Sequence, residues 1–74
     1  MEGKITPEQV KNVINKVDKP KNWRNGQFVF NRVEEIFGSV AREVQYQDKI
    51  DCFYLDNKID QFIEKVCDRL NKNL

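Results

Sequence analysis

The stretch that decides the fold lies near the end of the chain: Ile59-Asp60-Gln61-Phe62-Ile63-Glu64-Lys65-Val66-Cys67-Asp68-Arg69-Leu70. Its apolar residues recur at intervals of three and four positions, and they are Ile59, Phe62, Ile63, Val66, Cys67 and Leu70. This spacing puts the apolar side chains on one side of an α-helix and the charged ones on the other. The segment therefore predicts an amphipathic helix that packs against the rest of the chain. We expect Asp56 or Asn57 to cap its first turn.

A second helix is predicted within residues 5–18. Thr6 is a good N-cap, Pro7 suits the first helical position, and Gln9 completes a Thr-x-x-Gln capping box. Apolar residues then follow with helical spacing, namely Val10, Val13, Ile14 and Val17. The helix should end within residues 18–21, because the residue before a proline avoids the helical conformation.

The central segment predicts a longer helix from a cap at Asn22 to about Phe37. Its broad apolar arc consists of Val29, Phe30, Val33, Ile36 and Phe37. Gly26 falls in the same arc, and its missing side chain would let a neighbouring helix or loop approach closely. Phe28 points away from the arc by well over 100° on a helical wheel of about 100° per residue, so it either packs under another element or lies exposed.

Between the two longest helices, Gly38 and Ser39 interrupt the pattern, with Ser39 suited to a new N-cap. Residues 40–46 are predicted as a short helix, although their β-branched and aromatic content leaves a strand as the alternative. Residues 47–56 read as a loop whose aromatic side chains anchor it to the core. The sequence thus predicts an all-α fold, a small single-domain bundle of three main helices plus a short fourth. One domain covers 1–74, with residues 1–4 flexible.

Two motifs resemble those of scattered, uncharacterised short proteins from bacterial and phage genomes. One is the Arg-x-Gly-Gln-x-x-Phe-Asn helix start at residues 24–31, and the other is the Asp-x-Phe-Tyr loop at residues 51–54. The resemblance covers residues 23 to about 70. It implies a similar helical architecture and an origin in a phage or mobile element, but no activity.

Composition limits the chemistry available to the chain. It has no His, a single Ser and a single Thr, so a Ser or Cys nucleophile would lack its usual base. Cys52 and Cys67 are too few for a zinc site, and we expect both to be reduced thiols. We therefore expect no enzyme activity, no metal and no cofactor. No apolar run approaches the roughly 20 residues that span a bilayer, and no signal peptide is visible, so the expected location is cytoplasmic.

A polar stripe on the central helix is the leading candidate for a binding site. Arg24, Gln27 and Asn31 lie on one side of the helix, Phe28 adjoins them, and Tyr54 belongs to the nearby aromatic loop. Arginine and aromatic side chains dominate the energetics of many protein interfaces. In the competing structural interpretation, Gln27 and Asn31 bond the backbone of the aromatic loop and Phe28 packs beneath it.

Nucleic-acid binding is the alternative hypothesis. Residues 16–32 contain five basic residues and one acidic residue, a net charge of +4. The cations Lys19, Lys21 and Arg24 could contact phosphates, and Trp23 could stack on a base. The net charge of the chain is only +1, which gives no general attraction for a polyanion.

The sequence therefore favours a small, non-catalytic protein-binding module. A regulator or inhibitor of host machinery encoded by a phage or mobile element, including an anti-CRISPR-type role, is the functional expectation. Its partner would be another, unidentified protein, with no membrane involved. The chain would be a monomer, or a homodimer joined through exposed Phe28 or Tyr46.

Overall fold

The computed structural model describes residues 4–72, which form four α-helices and one short 3₁₀ turn. The helices are α1 (Pro7–Ile14), α2 (Asn25–Phe37), α3 (Val40–Tyr46) and α4 (Ile59–Lys72), and the 3₁₀ turn is Asp56–Lys58. No strand occurs in this range, so the helical prediction for residues 40–46 is confirmed and the strand alternative is wrong. Of the four residues predicted to be flexible, 1–3 lie outside the described residues. None of the described helices is long and apolar enough to cross a membrane.

The predicted start of α1 is confirmed. The Gln9 backbone N–H donates to Thr6 Oγ1 at 3.2 Å, and the Thr6 backbone N–H donates to Gln9 Oε1 at 3.0 Å. These two bonds form the capping box and satisfy backbone donors that have no partner within the helix.

The end of α1 comes earlier than predicted, at Ile14 rather than within residues 18–21. The guanidinium of Arg32 on α2 donates to the carbonyl of Val13 at 2.9 Å and to that of Ile14 at 3.1 Å. A side chain far along the chain thus takes the place of a further helical turn. As a result Val17 leaves the apolar stripe and is 49% exposed.

The start of α2 is two residues later than predicted, because Arg24 rather than Asn22 is the N-cap. The Trp23 N–H donates to the carbonyl of Pro20 at 3.1 Å, so the chain forms a turn where the prediction placed helix. Ser39 does not cap α3 with its side chain either; its hydroxyl donates to a carboxylate oxygen of Glu43 at 3.3 Å.

The start of α4 also differs from the prediction, since neither Asp56 nor Asn57 caps it. Asp56 lies in the preceding 3₁₀ turn, and its Oδ1 accepts a hydrogen bond from the Gly26 N–H at 2.9 Å. Asn57 makes no side-chain hydrogen bond with the residues described. The Asp56 carboxylate thus connects the turn before α4 to the start of α2, thirty residues away, instead of capping α4.

The core lies around α2, which is covered on more than one side. Phe28 is only 6% exposed, so the alternative of an exposed Phe28 is wrong and the packed one is confirmed. The apolar stripe predicted for α4 is buried or half-buried as expected. Buried apolar side chains come from every α-helix and the loop: Val10, Ile14, Phe28, Val29, Phe30, Val33, Val40, Ala41, Val44, Cys52, Phe62, Ile63, Val66 and Cys67.

A polar cluster around Arg69 joins the end of α3 to α4. Its guanidinium contacts Asp48 Oδ2 at 2.9 Å, Glu43 Oε1 at 3.2 Å and Gln47 Oε1 at 3.2 Å. These hydrogen bonds with Arg69 lower the pKa of Asp48 below its usual value of 3.8. The contribution of Asp48 to the stability of the fold is therefore present only while its carboxyl group is ionised.

The pH dependence of this contribution is a testable prediction. A carboxyl group with a lowered pKa in the folded state stabilises the protein above its unfolded pKa and loses that effect as the pH falls through the folded value. At neutral pH, Asp48→Asn should unfold at a lower urea concentration than wild type. Below pH 3.8 the two midpoints should converge. Circular dichroism during urea titration measures both.

Asp68→Asn is the matched control, because Asp68 lies on α4 and makes no ion pair within residues 4–72. Its difference from wild type should stay small and nearly constant with pH. If the difference in urea midpoint between wild type and Asp48→Asn stays constant down to the lowest pH, the role assigned to Asp48 in the cluster is wrong.

Candidate functional site

The site is built where the loop between α3 and α4 presses on the first turn of α2. A methyl group placed on Gly26 would lie 1.7 Å from the carbonyl oxygen of Cys52, far inside van der Waals contact. The Cys52 thiol also donates to the Gly26 carbonyl, with 3.4 Å between Sγ and O. The prediction that Gly26 permits a close approach is confirmed, and the approaching element is the loop.

Both cysteines are free and buried. Burial raises the pKa of the Cys52 thiol to about 12, and it also raises the pKa of the Cys67 thiol. A protonated, enclosed thiol is a poor nucleophile. Cys52 therefore acts as a hydrogen-bond donor that fastens the loop to α2.

A ladder of aromatic rings connects the core to the surface beside this junction. The ring centroids of Phe62 and Phe30 are 5.6 Å apart, and those of Phe30 and Phe53 are 5.8 Å apart. The next step, from Phe53 to Tyr54, is 4.7 Å and edge-to-face. Such pairs stabilise by about 0.5–1.5 kcal/mol beyond their buried area. Tyr54 is thus held in a defined position although it lies on the surface.

Beside the ladder is a surface cavity of about 250 Å³, here called the aromatic groove. Its walls are formed by Phe30, Arg42, Gln45, Tyr46, Phe53 and Tyr54. Tyr46 is 71% exposed and Tyr54 is 65% exposed, which is unusual for two aromatic side chains in so small a protein. The guanidinium carbon of Arg24 lies 5.3 Å from the centroid of the Tyr54 ring, a cation–π contact.

The structure separates the five predicted protein-binding residues into two groups. Arg24 and Tyr54 meet at the surface. Gln27 instead accepts from the Arg24 backbone N–H at 3.3 Å, and Phe28 lies in the core, so Phe28 is not a surface anchor. Asn31 is half-buried and makes no side-chain hydrogen bond with residues 4–72. The competing interpretation is wrong in its bonds, because the loop is held by its own Asp56 and Cys52 side chains, which bond the Gly26 backbone, and not by these amides.

The residues predicted for nucleic-acid binding are only partly available. The Lys19 ammonium donates to the Trp23 carbonyl at 2.7 Å. Trp23 is half-buried and packs against the core rather than standing free. Lys21 is exposed, and Arg24 leans on Tyr54. This segment therefore presents cations without an exposed tryptophan.

Sequence reasoning missed the side of the groove formed by α3. Arg42, Gln45 and Tyr46 occupy positions i, i+3 and i+4 of that helix, which places them on one face. That spacing was readable in the sequence, and it would have put an arginine and a tyrosine together there. Their position beside Phe53 depends on how the loop folds, which the spacing does not contain.

A second, larger cavity of about 360 Å³ lies between the N-terminal segment and α4. It is a shallow seam bridged by Asn71, whose Oδ1 accepts from the Ile5 N–H at 2.7 Å and whose Nδ2 donates to the Ile5 carbonyl at 3.0 Å. The polar side chain of Asn71 in this cavity is therefore used to attach the N-terminal segment to α4. Within the described part of the chain, His, Cys, Asp and Glu side chains form no group of three or more that could hold a metal ion.

Comparison of the chain with protein-family models, with curated proteins and with solved structures found no match.

The junction at Gly26 makes a strong prediction about stability. Gly→Ala in a helix normally stabilises by up to about 1 kcal/mol. Gly26→Ala should instead destabilise by about 2 kcal/mol or more, because the new methyl group collides with loop backbone that cannot rotate away. Thermal and urea unfolding followed by circular dichroism measures the change.

Gln61→Ala, at an exposed position of α4, is the control and should change stability by no more than about 0.5 kcal/mol. A Gly26→Ala protein as stable as wild type would show that the loop does not rest on α2.

Proposed function

We propose that the chain is a non-catalytic protein-binding module that contacts its partner through the aromatic groove and the Arg24–Tyr54 pair. The observation that supports this most is the exposure of two tyrosines beside two arginines on a surface of defined shape. Tyrosine and arginine are, with tryptophan, the residue types most enriched among the side chains that dominate binding energy at interfaces.

Rigidity strengthens the proposal. Tyr54 is fixed by Phe53 and by Arg24, and the loop that carries it is fixed at Gly26. A surface already held in one arrangement loses little conformational entropy when a partner binds. Large aromatic side chains with few rotatable bonds add contact area at low entropic cost.

A role as a phage- or mobile-element-encoded regulator or inhibitor of host machinery, including an anti-CRISPR-type role, is the biological form of this proposal. Its support is the resemblance of the segments around Arg24 and Tyr54 to short bacterial and phage proteins. An inhibitor of this kind acts by occupying a surface, so it needs no reactive group.

Two other functions have weaker support. Nucleic-acid binding through residues 16–32 loses its predicted stacking platform, since Trp23 packs inward. A homodimer through Phe28 loses its contact because that side chain is buried, which leaves Tyr46 as the one candidate named for self-association.

The proposal predicts which substitutions abolish partner recovery. Immobilised wild-type protein should retain a specific partner from bacterial lysate, and both Arg24→Ala and Tyr54→Ala should reduce that recovery by about fivefold or more. Both side chains are exposed, so circular dichroism should show these variants folded. Quantitative mass spectrometry of the retained proteins gives the readout.

Lys65→Ala removes an exposed side chain from α4 and should leave recovery unchanged. If Arg24→Ala and Tyr54→Ala retain the same partner as wild type, the surface is not the contact. Light scattering across concentrations tests self-association separately, and a dimer lost in Tyr46→Ala would favour that function instead.

A further inference from the structure

The carboxylates around the aromatic groove are all engaged by donors of the chain itself. Residues 25–58, which form α2, α3 and the loop, contain six acidic residues. Four of them pair with arginines: Glu34 with Arg42, Glu35 with Arg32, and both Glu43 and Asp48 with Arg69. The other two accept backbone hydrogen bonds, Asp51 from Phe53 and Asp56 from Gly26.

The cations of the groove are less fully engaged. No carboxylate among residues 4–72 lies within 4 Å of Arg24, whose guanidinium rests on the Tyr54 ring instead. Arg42 has Glu34 as its carboxylate partner, and its side chain is 66% exposed. A guanidinium has five N–H donors, so both arginines can accept an additional anion. Donors for a negative group are therefore available from Arg42 in the groove wall and from Arg24 against Tyr54, while the carboxylates of α2, α3 and the loop are occupied.

The size of the groove limits what it can hold. A volume of about 250 Å³ is below the roughly 300–1,000 Å³ typical of small-molecule sites. Its walls are largely aromatic, which suits one large apolar side chain. Arg24 does not line the groove but lies 5.3 Å from the ring centroid of Tyr54, which does, so it is the cation next to a side chain bound there.

We propose that the aromatic groove takes an acidic segment of a partner protein, in which one apolar side chain enters the groove and a neighbouring carboxylate binds Arg24. This inference rests on the proposed function and names the chemistry of the partner. The carboxylate replaces no internal ion pair, because Arg24 has none within the described residues. An ionic contact at an exposed edge adds mainly to selectivity, and the apolar side chain adds mainly to affinity.

A nucleic acid matches this surface less well than an acidic segment does. A bound strand presents one phosphate per nucleotide and is held by a series of cations along its path. Here there is no such series: one guanidinium without a carboxylate partner and one engaged with Glu34 lie at a single open groove of about 250 Å³. An oligonucleotide is therefore the comparison ligand in the test.

The test uses four fluorescent peptides of equal length and the full chain. One has a Phe flanked by Glu and Asp; the second has Ala in place of Phe; the third has Gln and Asn in place of the acids; the fourth has Lys in their place. A labelled oligo-thymidine of similar length is the fifth probe. Fluorescence polarisation at two salt concentrations measures the dissociation constants.

The acidic Phe peptide should bind about tenfold more tightly than each of the other peptides and the oligonucleotide, and higher salt should weaken it. Arg24→Gln should weaken it about fivefold, and Arg24→Glu should reverse the preference towards the Lys peptide. These substitutions keep the backbone N–H that Gln27 bonds, so the start of α2 is retained. Lys65→Gln and Lys65→Glu, matched changes on α4, should leave every constant unchanged.

The inference is overturned if the neutral or Lys peptide binds as tightly as the acidic one, or if no peptide binds at all. Tighter binding of the oligonucleotide would assign the surface to nucleic acid and overturn it as well. If the neutral peptide binds as tightly as the acidic one and Tyr54→Ala abolishes that binding, the proposed function stands but the preference for an acidic partner does not. A partner recovered independently of Arg24 and Tyr54 would remove the proposed function itself.

Discussion

The missing side chain at Gly26 is the constraint on which the candidate site depends. The backbone of the loop comes so close to that of α2 there that the Cys52 carbonyl oxygen occupies the space a β-carbon on Gly26 would need. The approach lets the Asp56 carboxylate reach the Gly26 N–H and the Cys52 thiol reach the Gly26 carbonyl. In a helix a glycine costs about 1 kcal/mol relative to alanine, and here these two hydrogen bonds offset that cost. Without the approach, the loop would stand away from α2 and Tyr54 would lose its position.

The aromatic ladder carries this constraint from the core to the surface. Phe62 and Phe30 belong to the buried core, and Phe53 connects them to the exposed Tyr54. A small domain buries only about 60% of the surface that its unfolded chain exposes. Here the same set of aromatic side chains therefore fills the core and fixes the shape of the surface beside it. The Tyr54 ring is therefore fixed in position through its contact with Phe53, whereas a tyrosine on a free loop would not be.

Several features set by local spacing were predictable from the sequence, whereas most features set by long-range contacts were not. The stripe of α4 and the capping box of Thr6 and Gln9 depend on neighbours three or four positions apart, and both are confirmed. The close approach at Gly26 was also predictable, because glycine is unfavourable within a helix and its place in an apolar arc indicates that another element packs closely there. The end of α1 was not, since Arg32 fixes it from eighteen residues away. Of the candidate site, Arg24 and Tyr54 meet at the surface, and of the two alternatives for Phe28 the packed one is confirmed, which removes it from the binding surface.

The contacts that hold the fold and the side chains proposed to bind are largely separate. Arg32, Arg69 and Asp56 each bond to a distant element, so each is committed to stability. Arg24 and Tyr54 contact chiefly each other and Phe53 at the surface. Because a domain of this size has only a few kcal/mol of stability in total, substitutions that reach its internal contacts endanger folding. The groove's edge can change its charge without that danger, so its selectivity for a partner can vary while the arrangement of helices beneath it stays the same.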